Sequence, residues 1–247
     1  MRLLLRLFLA APAAILLTTF SVSAAEAPFV DPDAVDCSVT VPSAVDTYAA
    51  VLAKPGQARA GRHVAVAVDL AASPGFGPDA AGRLRYRMAF NNVAEGWSWQ
   101  PQSRPEDEDY YRWKFFPLQS VEEARASYVQ EEKIGEPQRT EVKWRYDYFL
   151  AFDNPYAFYR READDDAGFS VPVSAAPGSL RLVAVAVLGA PALAESTTFW
   201  KAVHARPVDF TLKKRYLVGR LEALLVCDAA SGKTLARIGP PGDAAQR

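Results

Sequence analysis

The chain has 247 residues, half of them hydrophobic and 23% charged, with a formal net charge of −1. That length and apolar content suit one large β domain or two small ones and suffice for a substantial core. The near-neutral charge calls for no nucleic acid or other polyanion and no membrane surface as partner.

The first residues, "MRLLLRLFLAAPAAILLTTFSVSAAEAP", set Arg2 and Arg6 ahead of a leucine- and alanine-rich run that ends near Phe20. Small residues follow, with Ser23 and Ala25, or Val22 and Ala24, spaced as a signal peptidase requires. The competing reading is an uncleaved anchor, but the apolar run is short of the ~20 residues of a span. No cysteine sits at the cleavage point, which argues against a lipoprotein. Residues 1–25 are therefore expected to be a signal peptide and 26–247 a single β-rich domain, with no later transmembrane segment. Loss of both arginines takes the mature net charge to about −3. Arginine outnumbers lysine and alanine is abundant, the composition of a GC-rich bacterial gene. The expected location is the periplasm or the extracellular medium.

The first predicted element of the mature chain is a helix in "SAVDTYAAVLAKPG", residues 43–56. Ser43 is its N-cap, Asp46 stands three residues on, and Pro55-Gly56 stops it. Val45, Tyr48, Ala49 and Leu52 form the expected apolar stripe. From residue 62 the period changes from 3.6 to two. "RHVAVAVDL" (62–70) alternates, and "RLRYRMAF" (83–90) separates Leu84, Tyr86, Met88 and Phe90 from Arg83, Arg85 and Arg87. Between 95 and 117 lies an acidic, aromatic stretch with Glu95, Trp97, Trp99, the run Glu106 to Asp109, and Trp113. "SVEEARASYVQEEKIGEP" then reads as a second, surface helix, opened by a Ser120/Glu123 capping box and closed by Gly135.

"EVKWRYDYFLAFD" (141–153) places Val142, Trp144, Tyr146, Tyr148, Leu150 and Phe152 opposite Lys143, Arg145 and Asp147. "SLRLVAVAVLG" (179–189) is apolar on both faces, as in a central strand. "DFTLKKRYLVGRLEALLVCD" (209–228) predicts one or two strands with a break near Gly219. The segments "SPGFGP", "DNPY", "APGS" and "GAPA" supply turns. The fold class that follows is all-β with minor α: an antiparallel β-sandwich or barrel-like domain with one or two short peripheral helices.

Gly232-Lys233-Thr234 resembles the tail of a phosphate loop, yet the position that needs its first glycine holds Cys227. Too little chain follows for the helix that would face the phosphate. A hairpin explains the same residues: a strand to Asp228, a turn at Ala229 to Gly232, and "KTLARI" returning. Nucleotide is therefore not an expected ligand. Cys37 and Cys227, near opposite ends of the mature chain, are expected to pair in an oxidising compartment; the alternative is two separate buried thiols.

His63 and His204 lie in distant segments and make no zinc pattern. "GWSWQ" lacks the G-x-S-x-G of a serine hydrolase. No catalytic residue, metal ligand or cofactor is assigned. Asp164, Asp165 and Asp166 lack the register of the best-known calcium loop and read as a polar turn.

The leading functional expectation is an exported, non-catalytic binding protein. It would present Trp97, Trp99 and Trp113, with the row Arg83, Arg85 and Arg87, to a glycan, an anionic ligand or a protein partner. If the strand of Lys143 and Arg145 lay beside that row, a basic patch would result. Two alternatives stand beside it. One is a carbohydrate-active hydrolase using Glu95 or the Glu106–Asp109 carboxylates; the other is a structural component of an envelope assembly joined through strand edges.

Overall fold

The structure, a computed structural model, describes residues 28–69, 76–78, 84–87, 114–130, 137–154, 168–171 and 180–239. The leader at 1–25, Arg83, Trp97, Trp99, Trp113, Glu95, the carboxylates at 106–109 and Asp164 to Asp166 lie outside these residues.

The described chain is mostly strand, with one α-helix, α1 (Ala44–Leu52). The strands are β1 (His63–Val68), β2 (Phe76–Pro78), β3 (Leu84–Arg87), β4 (Lys114–Gln130), β5 (Gln138–Phe152), β6 (Gly168–Val171), β7 (Leu180–Trp200), β8 (Val208–Asp228) and β9 (Thr234–Ile238). Six of them form one sheet in the order β1-β7-β8-β5-β4, with β9 added beside β8. A smaller sheet runs β2-β3-β6. The all-β class with minor α expected from the alternation is the one observed, and one pairing, β5 with β8, is parallel.

The long strands carry two environments in succession. Over its first half β7 pairs with β1 on one side and β8 on the other. A core of Val64, Val66, Leu182, Ala184, Leu217 and Leu224, among others, fills one face there. On the opposite face Val35, Cys37, Ala65, Val183, Val185, Leu225 and Cys227 make a second core beneath the N-terminal segment. Burial on both faces is why "SLRLVAVAVLG" shows no polar face. At its far end β1 meets β4, where the Asp69 amide donates to the Leu118 carbonyl at 2.7 Å. The sheet thus curls so that its two end strands approach each other.

Helix α1 packs on the first core. Ser43 caps it as expected, its hydroxyl oxygen accepting from the Asp46 amide at 3.1 Å. Its buried residues are Ala44, Thr47, Tyr48 and Val51, while Leu52 is exposed. The apolar stripe is therefore rotated from the expected one. Ala44 and Thr47 are small enough to bring the helix close to the sheet, and the Thr47 hydroxyl donates to the Ser43 carbonyl at 2.8 Å.

The second helix expected at residues 120–135 is a strand over its described part. Residues 120–130 belong to β4 and pair with β5 from Ser120↔Asp147 to Gln130↔Gln138. The Ser120 hydroxyl donates to Asp147 at 2.7 Å instead of capping a helix. A capping box is worth about 1 kcal/mol; cross-strand pairing along the whole of β5 outweighs it.

Past Leu193 in β7 and before Leu217 in β8, β1 no longer contributes, and four strands continue as an arm in the order β7-β8-β5-β4. The β7–β8 turn and the start of β5 share its tip: the Glu141 amide donates to the Pro207 carbonyl at 2.9 Å. Gly219 marks the root of the arm, where β7 shifts register between Leu188 and Leu193. A side chain at Gly219 would collide with the Val187 carbonyl oxygen, so glycine permits the close crossing. The expected break near Gly219 is a close approach inside one continuous strand.

The expected hairpin at the C-terminal end is present. β9 returns antiparallel to β8, and Gly232 takes the left-handed conformation at φ 68° that the turn requires.

Candidate functional site: an aromatic and cationic face on the arm

Alternation along β5 places Trp144, Tyr146 and Tyr148 on one face. The parallel register sets Lys213 beside Tyr146 and Arg215 beside Tyr148. On the other flank β4 shifts register between Ala124 and Ala126, so Arg125 is the extra residue of a bulge. Bulges re-aim side chains, and here Arg125 reaches both Trp144 and Tyr146.

The resulting contacts form a continuous ladder. The Arg125 guanidinium stacks 4.8 Å from the Trp144 ring centroid and donates to the Tyr146 hydroxyl at 2.8 Å. Lys213 lies 4.9 Å from the same indole. Arg215 stacks 4.6 Å from Tyr146 and donates to the Tyr148 hydroxyl at 2.9 Å. Tyr148 in turn meets Tyr48 of α1 edge-on at 5.8 Å, which anchors the inner end of the ladder to the body. Each cation–π contact is worth about 0.5–2 kcal/mol depending on exposure.

Two carboxylates partly balance the cations. Glu195 of β7 pairs with Arg215 at 2.9 Å and with Lys213 at 3.8 Å, and Glu123 pairs with Arg125 at 2.6 Å. Burial works against the charge on Arg215. Its hydrogen bonds to Glu195 and Tyr148 outweigh that and hold its pKa above the ordinary value. Arg125 is the most open member, its side chain 46% exposed. With cations from both flanking strands already on the Trp144 ring, the open chemistry is N–H donors, which suit carboxylate or phosphate.

The tip adds exposed apolar groups to this charge. Val129, Phe199, Trp200 and Val203 are all exposed there. Asp209 holds the β7–β8 turn by accepting from the Ala202 amide at 2.7 Å and the Tyr128 hydroxyl at 2.9 Å and by pairing with the Lys201 ammonium at 3.6 Å. These bonds lower its pKa, the backbone bond most strongly.

Of the arginine row expected from the sequence, Arg85 and Arg87 stand on β3, opposite Ser170 and Gly168. Lys143 and Arg145 are on β5, between β4 and β8, so the two sets are not on adjacent strands. Lys143 and Arg145 instead pair locally, with Glu141 at 3.0 Å and Asp147 at 2.7 Å. His63 joins Glu222 at 3.1 Å. Among the described residues no group of three His, Cys, Asp or Glu side chains is placed to hold a metal ion. No described helix is long and apolar enough to cross a membrane.

Sequence reasoning missed the Arg125–Trp144–Lys213–Arg215 assembly. The helical reading of residues 120–135 removed Arg125 from any sheet. The Lys213-Lys214-Arg215 run was visible, but no local pattern tells which strand lies beside it. Cys37 and Cys227 are bonded, with Cα atoms 5.5 Å apart. Compared with protein-family models, with curated proteins and with solved structures, the chain shows no match.

Proposed function

We propose that this chain is an exported, non-catalytic binding protein that uses the arm to hold an anionic partner. The observation that carries the reading is charge segregation. Residues 193–215 hold five cations (Lys201, Arg206, Lys213, Lys214 and Arg215) against Glu195 and Asp209, a surplus of three in a chain whose net charge is −1. Among the described residues Lys214 and Arg206 have no carboxylate partner. Such a local surplus of positive charge attracts anions whatever the overall charge. The disulfide and the leader-like first residues support export to an oxidising compartment, periplasmic or extracellular. A neutral glycan is less suited, because the Trp144 ring already carries two cations.

The hydrolase alternative draws little from the described carboxylates. Glu123 and Glu195 share the ladder face, but their strands are three spacings apart, roughly 14 Å. A glycosidase pair needs about 5–9.5 Å.

Heparin-agarose at neutral pH and low salt tests the reading. The disulfide-bonded protein should be retained despite its net negative charge and released as salt screens the patch. The K213E/K214E variant, shown to be folded by its thermal transition, should flow through. Unretained wild-type protein, or equal retention of the folded variant, would reject the arm as an anion-binding surface.

A further inference from the structure

The arm has two outer edges, and they are built differently. The β4 edge is blunted: Pro117 lacks an N–H, and the strand shifts register at Pro117/Gln119 and again at Ala124/Ala126. Prolines and bulges are the devices that keep an edge from pairing with another chain. The β7 edge from Leu193 to Trp200 has neither proline nor bulge, and its one charged side chain, Glu195, is paired with Arg215 and Lys213 of the strand behind it. It runs eight residues, roughly 26 Å at strand rise, in unbroken antiparallel register with β8. On its outer side β1 stops at the pair with Val187. No described strand pairs with Leu193 to Trp200 on that side.

The side chains along this edge also differ from those behind it. Ser196 pairs across the ladder with Lys214, and Thr197 with Lys213. The short Ser196 side chain leaves the Lys214 ammonium, which has no carboxylate partner among the described residues, reachable from beyond β7, while Lys213 is held between Glu195 at 3.8 Å and the Trp144 ring. A strand added to the edge would lie two spacings from β8, roughly 10 Å, and a Lys and a Glu side chain together span that gap. Successive residues of the added strand would alternate between the face of Lys213 and Arg215 and the face of Lys214. At the outer end, exposed Phe199 and Trp200 offer apolar contact on either face.

We propose that the β7 edge from Leu193 to Trp200 accepts an extended, acidic segment of a partner protein as an added strand. This rests on the arm being an anion-binding surface and names what it binds. Backbone hydrogen bonds supply affinity without sequence demands, and side-chain pockets at alternate positions supply choice. The choice here is for Asp or Glu near the middle of the segment and for an apolar residue beside Trp200.

The test uses the full disulfide-bonded protein to select from a display library of random linear peptides. Selected peptides should be acidic and should alternate charged with β-branched or aromatic residues. A selected peptide made synthetically should slow hydrogen exchange of amides within residues 193–200 and leave residues 119–130 unchanged. Its affinity should fall at least tenfold in K213E/K214E. In Ser196→Pro and Thr197→Pro, one of which removes an outward N–H, it should fall by a similar factor while heparin retention persists. Protection at β4 or none at β7 would overturn the edge assignment even if heparin binding holds, as would basic or sequence-random selectants. Loss of heparin binding itself would instead overturn the anion surface on which the edge rests.

Discussion

Asp209 shows how one side chain shapes the end of the arm. Its carboxylate gathers the Ala202 amide, the Tyr128 hydroxyl and Lys201, tying the β7–β8 turn to the end of β4. Because these bonds lower its pKa in the folded chain, their stabilisation is complete above the ordinary value of 3.8. It is lost as pH falls through the lower, folded value. Hydrogen exchange of residues 201–207, corrected for intrinsic rate, should therefore lose protection as pH falls below 3.8. In Asp209→Asn that acid-dependent step should vanish, and protection at neutral pH should already be reduced. A turn whose protection in the wild type is flat through the acid range would show that Asp209 does not hold it.

At the scale of elements, β8 links the body and the arm. It pairs with β7 throughout, with β5 over the arm and with β9 near its end. Gly219 lies where these environments change. Gly219→Ala would force a methyl group against the Val187 carbonyl, and neither backbone can yield without disturbing the two-sided core. The expected cost is about 3 kcal/mol, the upper part of the usual range for overpacking, read as a lower urea midpoint with unchanged slope. Substitution without loss of stability would mean that the crossing is looser than described. β4 carries a second lesson at this scale. Its residues have a helix cap and helix-forming alanines and glutamates, yet they pair with β5. Local preference over ten residues amounts to a few kcal/mol, and pairing plus the ring contacts of Trp144 and Tyr146 exceed it.

For the whole molecule, the bond between Cys37 and Cys227 closes a loop of 190 residues. It sits inside the second core with Val35, Val183 and Leu225, and the Arg181 guanidinium donates to the Cys37 carbonyl. The bond thus clamps the N-terminal segment over the β7–β8 surface. Chain-entropy arguments assign a loop of that length about 5 kcal/mol. The C37S/C227S variant should lose several kcal/mol in urea unfolding and expose residues 30–41 to proteolysis. A variant with unaltered urea midpoint would show that packing alone holds the segment.

Much of this architecture was legible in the sequence because it rests on local rules. Alternation marks β1 and β5, since side chains on a pleated strand change face at every residue, and an unbroken apolar run marks the first half of β7 as a strand buried on both faces. Ser43 with Asp46 marked the start of α1, and Gly232 the final hairpin. The two cysteines announced their bond because an even count near the chain ends has one pairing. What only the tertiary structure decided is adjacency. Nothing near Trp144 indicates that Arg125 and Lys213 come from the strands on either side, and nothing in residues 208–219 requires a parallel partner. Those facts depend on contacts between segments far apart in the chain, where pairing and burial energies override the preferences of each segment alone.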